Sequence, residues 1–335
     1  MALRFPIQMT STVAGYMLKK KVAGPKKFPM VLMLEPLHAC NLTCTGCGRI
    51  REYESTIKQK LSIQECLDAV DEAGAPVVSI CGGEPMIYPG IGELVAKVLE
   101  RKKVVYLCTN GMFIRKKLDD FRPSKKFFFN VHLDGQREVH DMAVERVGVY
   151  DAAIDGIRAA KERGHMVCTN TTVFKETDMA ELEGLFSFLT TLDVDGFMIS
   201  PGYGYAAVEG KEMFLSREDI REKFKSADAM FKKYKFSTSP IYLEFLQGKR
   251  ELSCTAWASP TRNVKGWKGP CYLITDIHHK SFDDLLNKTP WEKYVPGNDP
   301  RCRDCMMHSG FETAAALGVN GRLGDTLKMV RWQFT

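Results

Sequence analysis

The chain has 335 residues, 44% hydrophobic and 26% charged, with a formal charge of +6. That is an ordinary globular mixture able to bury a sizeable core, and no run approaches the ~18 apolar residues of a spanning helix. The mild positive excess permits attraction to an anionic surface without demonstrating it, and nothing points to nucleic acid.

Residues 1–28 read as a lead segment. Met9, Val13, Tyr16 and Met17 precede Lys19, Lys20 and Lys21, which suits a docking helix with a solvated basic end or a helix resting on a membrane interface. From residue 29 short apolar runs alternate with amphipathic stretches. Strands are expected at 31–36, 77–81, 104–109, 127–133, 166–173 and 196–200. Helices are expected near 62–73, 90–101, 112–120, 150–163, 178–191 and 216–235. Ser62 with Glu65 and Ser216 with Asp219 have the spacing of capping boxes, and Gly74 and Gly164 of helix stops. Six strand–helix repeats imply an α/β fold with a parallel sheet, either doubly wound or an open barrel, with chemistry at the carboxyl ends of the strands. Residues 29–240 form this body. Residues 241–335 lose the repeat and read as a small appendage held by metal or by contacts.

Eleven cysteines and no small-residue cleavage pattern at the N-terminus lead to the expectation of a cytoplasmic metal site rather than a disulfide framework. Cys40, Cys44 and Cys47 form C-x3-C-x2-C just after the first strand. Three thiolates can hold three irons of a [4Fe–4S] cubane and leave the fourth open, the mark of a catalytic site. Zinc with a remote fourth ligand is the alternative. Gly82-Gly83-Glu84-Pro85 closes the second strand and Thr109-Asn110-Gly111 the third. Asn130, His132 and Asp134 share one face of the fourth strand, as Asn170 and Thr172 do on the fifth, and Ser200 ends the sixth. Cys254, Cys271 and the Cys302-x2-Cys305 pair offer a further ligand set, for a second iron–sulfur cluster or zinc.

With this triplet and these strand ends, the chain resembles the radical S-adenosylmethionine (SAM) superfamily. The resemblance implies a partial (β/α)6 barrel with a small C-terminal cysteine-containing extension. It implies SAM chelated on the open iron, with the GGEP segment serving its amino group. Asn110, Asn130, His132, Asp134, Asn170 and Thr172 then line the SAM site. One departure is Gly46, where the family often carries an aromatic residue, so the adenine contact must come from elsewhere.

Residues 38–50, 259–267 and 302–312 resemble the hopanoid-biosynthesis branch, the adenosylhopane synthases. This resemblance implies addition of the 5′-deoxyadenosyl radical to the alkene of diploptene, with SAM consumed as a co-substrate. The alternative is hydrogen abstraction from a peptide or small molecule, releasing 5′-deoxyadenosine. Addition leaves a carbon radical that needs a hydrogen atom, and Cys108, at a strand end, is the expected donor, with Cys81 and Cys168 as rivals. Expected partners are a hydrophobic triterpene, a one-electron reductant such as ferredoxin or flavodoxin, and the inner membrane face, touched through the lead segment. Phe127, Phe128, Phe129, Trp257, Met306, Met307 and Phe311 are the candidate apolar cover.

Overall fold

The computed structural model describes residues 4–319 and 321–334. The six expected strands form as β1 (Val31–Leu34), β2 (Val77–Ile80), β3 (Val104–Thr109), β4 (Phe127–His132), β5 (Met166–Val173) and β6 (Gly196–Pro201). They are parallel and lie side by side in chain order. β1 does not pair with β6, so the barrel stays open. The sheet instead continues past β1 into β7 (Thr261–Asn263), parallel to it, and the antiparallel β8 (Gly266–Pro270) and β9 (Thr275–His279). No strand was expected there, because three short polar strands with Gly and Pro carry no alternation to detect.

The helix signals behave as their chemistry requires. Ser62 and Glu65 close a reciprocal capping box on the helix Ile63–Ala73, Gly74 ends it in the left-handed conformation, and Ser216 and Asp219 repeat the box. The stretch expected at 216–235 breaks into Arg217–Phe224 and Asp228–Lys233, a turn that lets Phe224 and Phe231 stack 6.2 Å apart. The stretch at 112–120 shortens to one helical turn, Ile114–Lys117, followed by a 3-10 turn, and Arg137–Ala143 is a helix not foreseen.

Strand alternation sorts the core into two faces. Leu32, Ile80, Leu107, Phe127, Phe129 and Val131 pack outward under the helices. Val77, Val104, Tyr106, Phe128, Met166 and Cys168 fill the other face near the amino ends of the strands, with Met9 and Val13 of the helix Ile7–Ala23 packed against them. The lead segment is thus a docking helix that covers one end of the barrel and leaves the carboxyl end for chemistry. Among the described residues no helix is long and apolar enough to cross a membrane. Phe128 does turn opposite to Phe127 and Phe129, but all three are fully packed and none lines an open cavity. Met306 and Phe311 are likewise core, and Trp257 packs against Phe28 and Met30. Of the candidate cover, only Met307 reaches a strand end, where Ser200 donates to its sulfur at 3.4 Å.

Candidate active site

In strands that are otherwise buried, the exceptions mark where the barrel opens. Cys108 in β3, His132 in β4, and Asn170 and Thr172 in β5 are all partly exposed, while their outward-facing neighbours are sealed. The register places Cys108 beside Asn130, His132 beside Asn170 and Thr172 beside Ser200. The expected lining residues therefore share one face at the carboxyl ends of adjacent strands.

The loop after β1 carries Cys40, Cys44 and Cys47, all partly exposed and free of disulfides. Its position depends on the paired glycines that follow β2. A Cβ on Gly82, whose φ is +108°, would sit 2.5 Å from the Leu37 carbonyl oxygen, and one on Gly83 2.5 Å from that of His38. The loop lies flush on these glycines, held by Gly83 N–H to Leu37 O (3.2 Å) and Glu84 N–H to Ala39 O (2.9 Å). So the glycines are required by the approach of the cluster loop as well as by any ligand.

Glu84 is buried, and its carboxylate is spoken for within the chain. It accepts from Met86 N–H, the Thr109 hydroxyl and Asn110 N–H, each at 2.8 Å. Burial pushes its pKa up against the pull of those donors. The Asn110 amide donates at 2.8 Å to Asn41 in the cluster loop. GGEP and TNG thus bind the ends of β2 and β3 to the loop, and Asn41, not singled out from the sequence, is the residue they hold. Asp134 is committed too, to Thr172 N–H (2.7 Å) and to His132 Nε2 (2.8 Å). Burial alone would raise Asp134 and lower His132; their pairing outweighs it, so the carboxyl is held low and the imidazole high. Asn130 offers its amide N–H to Cys108 at 3.5 Å, and its Oδ1 is buried without a partner. That unsatisfied acceptor fits a donor on a bound ligand.

The donor set fits an iron–sulfur cluster with one open iron. Cys40 accepts an N–H from Leu42 at 3.4 Å, of the kind that tunes cluster sulfurs. Its thiol is pushed up to about 11, first by burial, so ligation must displace protons. Among the described residues no three His, Cys, Asp or Glu side chains converge to share one ion. A cubane asks for no such convergence, since each thiolate takes its own iron.

Cys108 is the thiol that faces this space. Ser79 lies 3.3 Å from its sulfur, and burial, together with the nearby Glu84 carboxylate, keeps it protonated. Cys168, level with Asn130 in the neighbouring strand, is sealed beside Ser237, and Cys81 is buried. At Gly46 a Cβ would meet the Phe174 ring at 2.7 Å, so that ring fills the space a side chain there would take. Phe174 follows β5 and pairs with Phe214 at 5.8 Å. Cys254, Cys271, Cys302 and Cys305, distant in sequence, line one cavity beside this region.

Residues 34–189 match the radical SAM superfamily, and residues 197–329 match a domain of unknown function, DUF3463. The second match begins inside β6. The antilisterial bacteriocin subtilosin biosynthesis protein AlbA of Bacillus subtilis is 25% identical over 86% of this chain and 68% of its own length. GTP 3′,8-cyclase of Thermodesulfovibrio yellowstonii is 28% identical over 58% of this chain and 63% of its own length. The Fe-coproporphyrin III synthase of Methanosarcina barkeri is 30% identical over 45% and 38%. Streptococcus suis SuiB bound to precursor peptide SuiA shares the fold, with TM-score 0.64 and 17% identity over 94% of this chain and 76% of that one.

Proposed function

We propose that this radical SAM enzyme, which generates a 5′-deoxyadenosyl radical, adds it to the terminal alkene of a hydrophobic triterpene, diploptene, to form adenosylhopane. The substrate rests on the resemblance of residues 38–50, 259–267 and 302–312. The observation that carries addition is Cys108, a protonated thiol on the open face with Ser79 and Asn130 at its sulfur. Addition requires such a donor, whereas hydrogen abstraction requires one only where the substrate radical is itself quenched.

When bound on Cys40, Cys44 and Cys47, the cluster supplies the electron that cleaves SAM. Asn130, with its unpartnered Oδ1, and the partly exposed Asn170 and Thr172 hold the cofactor's polar groups. Phe174 takes the aromatic position beside Gly46. The new C–C bond forms as the alkene π bond breaks, leaving one electron on the tertiary carbon. The Cys108 S–H bond breaks to give that carbon a hydrogen atom. One electron from a reductant such as ferredoxin or flavodoxin, with a proton, restores the thiol.

A second reading, hydrogen abstraction from a peptide, is favoured by the likeness to AlbA over most of the chain and to a structure holding a precursor peptide. The experiment that separates them gives reduced, cluster-loaded protein SAM labelled in its adenosyl group together with a lipid extract. Label in an apolar product supports addition. Label solely in 5′-deoxyadenosine with the lipid extract, and its release made dependent on peptide in a parallel incubation with peptide, supports the second reading.

The proposed membrane contact uses the solvent-facing edge of the docked lead helix and extends to a second helix. Leu327 and Val330 are exposed on the helix Asp325–Gln333, with exposed Leu323 just before it and Phe334 just after, and Arg322, Lys328 and Arg331 nearby. Phe5 meets Trp332 at 5.2 Å, joining this helix to Ile7–Ala23, whose Ile7, Leu18 and Val22 are also exposed. Apolar stripes with basic borders suit an anionic bilayer surface.

A further inference from the structure

Large apolar side chains exposed among the described residues fall into two groups, with Ile277 alone outside them. One group belongs to the terminal segments. The other is Val139, Met142 and Val147, on the helix Arg137–Ala143 and the turn after it. That helix follows β4, so this group stands at the carboxyl end of the barrel, away from the end that the helix Ile7–Ala23 covers. Met142 is 76% exposed and Val147 93%. Neither sits on a loose segment. The buried Asp141 carboxylate accepts the Gly148 and Tyr150 N–H groups at 2.6 and 2.8 Å, and Glu145 holds a φ of +55°, which side chains seldom adopt. A turn built this firmly keeps its apolar side chains in water, and contact with a partner would remove that cost.

The turn is also tied to the loop of Cys40, Cys44 and Cys47. Thr45 N–H donates to Ala143 O at 3.0 Å. The Thr43 and Thr45 hydroxyls each donate to the Glu145 carboxylate at 3.1 Å, which occupies that acid. Val144, between Met142 and Val147 in the chain, is buried with Leu42, and Cys40 and Cys44 pack against that pair. The apolar surface therefore backs onto two ligand thiols. Two exposed arginines border it. Arg146 donates to Asn41 O at 3.5 Å, and Arg51 to Cys44 O at 3.2 Å and Cys47 O at 2.6 Å. Among the described residues neither has a carboxylate within ion-pairing reach, whereas Arg137 pairs with Asp151. Against them this helix and turn set one exposed acid without a tie among the described residues, Glu138.

From this arrangement we propose that Met142, Val147, Arg51 and Arg146 form the docking surface for the one-electron carrier that reduces this enzyme, a small acidic flavin protein. Complementary charge steers the encounter, and the apolar centre holds the pair once water is excluded. The carrier's flavin passes from hydroquinone to semiquinone, and the electron it loses is the one that cleaves SAM. The surface serves SAM cleavage whichever substrate then takes the radical.

The test compares two reductants on the cluster-loaded full chain with SAM and no substrate. Dithionite is a small ion that needs no docking surface, whereas flavodoxin hydroquinone needs one. Met142→Glu/Val147→Glu alters two exposed side chains that ligate nothing. It should leave 5′-deoxyadenosine formation with dithionite unchanged and raise the KM for flavodoxin about tenfold or more. By calorimetry, oxidised flavodoxin should bind the variant about tenfold more weakly than the parent, and its binding to the parent should weaken as salt rises. Val147→Glu alone repeats the comparison should the double variant fail to fold. Equal losses with both reductants, unaltered flavodoxin affinity, or a parent that flavodoxin neither binds nor reduces would each overturn the proposal. A parent dimer that the variant breaks would overturn it too, by assigning the face to a second copy. Because no substrate is present, failure here leaves the addition reading untouched.

Discussion

Gly83→Ala puts the link between strand end and cluster loop to the test. The added methyl would stand 2.5 Å from the His38 carbonyl oxygen and nearer still to that of Ala39. Ordinary contact begins near 3.4 Å, so the loop backbone must retreat by about 1 Å or more. Retreat strains two hydrogen bonds, Gly83 N–H to Leu37 O and Glu84 N–H to Ala39 O, each with a net contribution of about 1 kcal/mol. Overpacking adds about 1–3 kcal/mol, for a total of about 3–5 kcal/mol, a large part of a typical domain's ~5–15 kcal/mol. The same retreat carries Cys40 away from its place. Anaerobic reconstitution followed by iron counting and thermal unfolding reads both effects. The variant should load the first cluster poorly and melt well below the parent. Gly15→Ala, in a helix with open space around its Cβ, should cost nothing and gain up to about 1 kcal/mol. If Gly83→Ala loads fully and unfolds within about 1 kcal/mol of the parent, the glycine argument fails.

The remaining predictions concern chemistry, acid lability and surface. Cys108→Ser should leave SAM cleavage intact and cut the reduced adduct about a hundredfold, or about 2.7 kcal/mol of barrier; an unchanged yield by mass spectrometry removes the donor role. Phe174→Ala should weaken SAM binding about tenfold without altering iron content, measured by equilibrium dialysis; unaltered affinity would place the adenine contact elsewhere. His140 is buried, accepts from Asp134 N–H at 3.2 Å, and is held down to about 4 by burial, then by His132, against an ordinary 6.5. Between those values the unfolded chain takes a proton that folded His140 refuses, so stability should fall as pH drops from 6.5 toward 4, by up to about 3 kcal/mol. His140→Asn should flatten that limb in denaturant titrations, and an equally steep limb would contradict it. Leu327→Ser/Val330→Ser should abolish sedimentation with vesicles containing phosphatidylglycerol while leaving soluble turnover unchanged. Undiminished sedimentation would dismiss the stripe, and a parent that dimerises through it would assign the surface to a second copy.

The barrel was readable from residues 29–201 because most of its strands are apolar runs followed within a few residues by Gly, Asn or Pro, and the helix Ile63–Ala73 carries a cap at each end. Cys40, Cys44 and Cys47 stood out because three thiols within eight residues make a candidate ligand set without tertiary knowledge. The roles of Glu84 and Asn110 were not, since a carboxylate on a strand end looks the same whether it faces a ligand or ties two strands together. Phe174 was hidden for a related reason: only the packing shows that its ring comes to lie against Gly46, more than a hundred residues earlier. The Phe127–Phe129 run misled because three adjacent aromatics suggest a greasy cavity, whereas alternation splits them between two packed layers. In the last third, β7 owes its place to pairing with β1, and β8 and β9 theirs to pairing with β7 and β8 in turn, rather than to their own pattern, so no local signal announced them.

The account stands on an iron at Cys40, Cys44 and Cys47 that is free to take the SAM amino group. Electron–nuclear double resonance on the reduced protein, with SAM carrying 15N in that group, measures this directly. A hyperfine coupling to 15N, present in the parent and in Cys302→Ala/Cys305→Ala but lost in Cys44→Ala, is the predicted result. A reduced cluster on the three cysteines that binds SAM with no such coupling would contradict it.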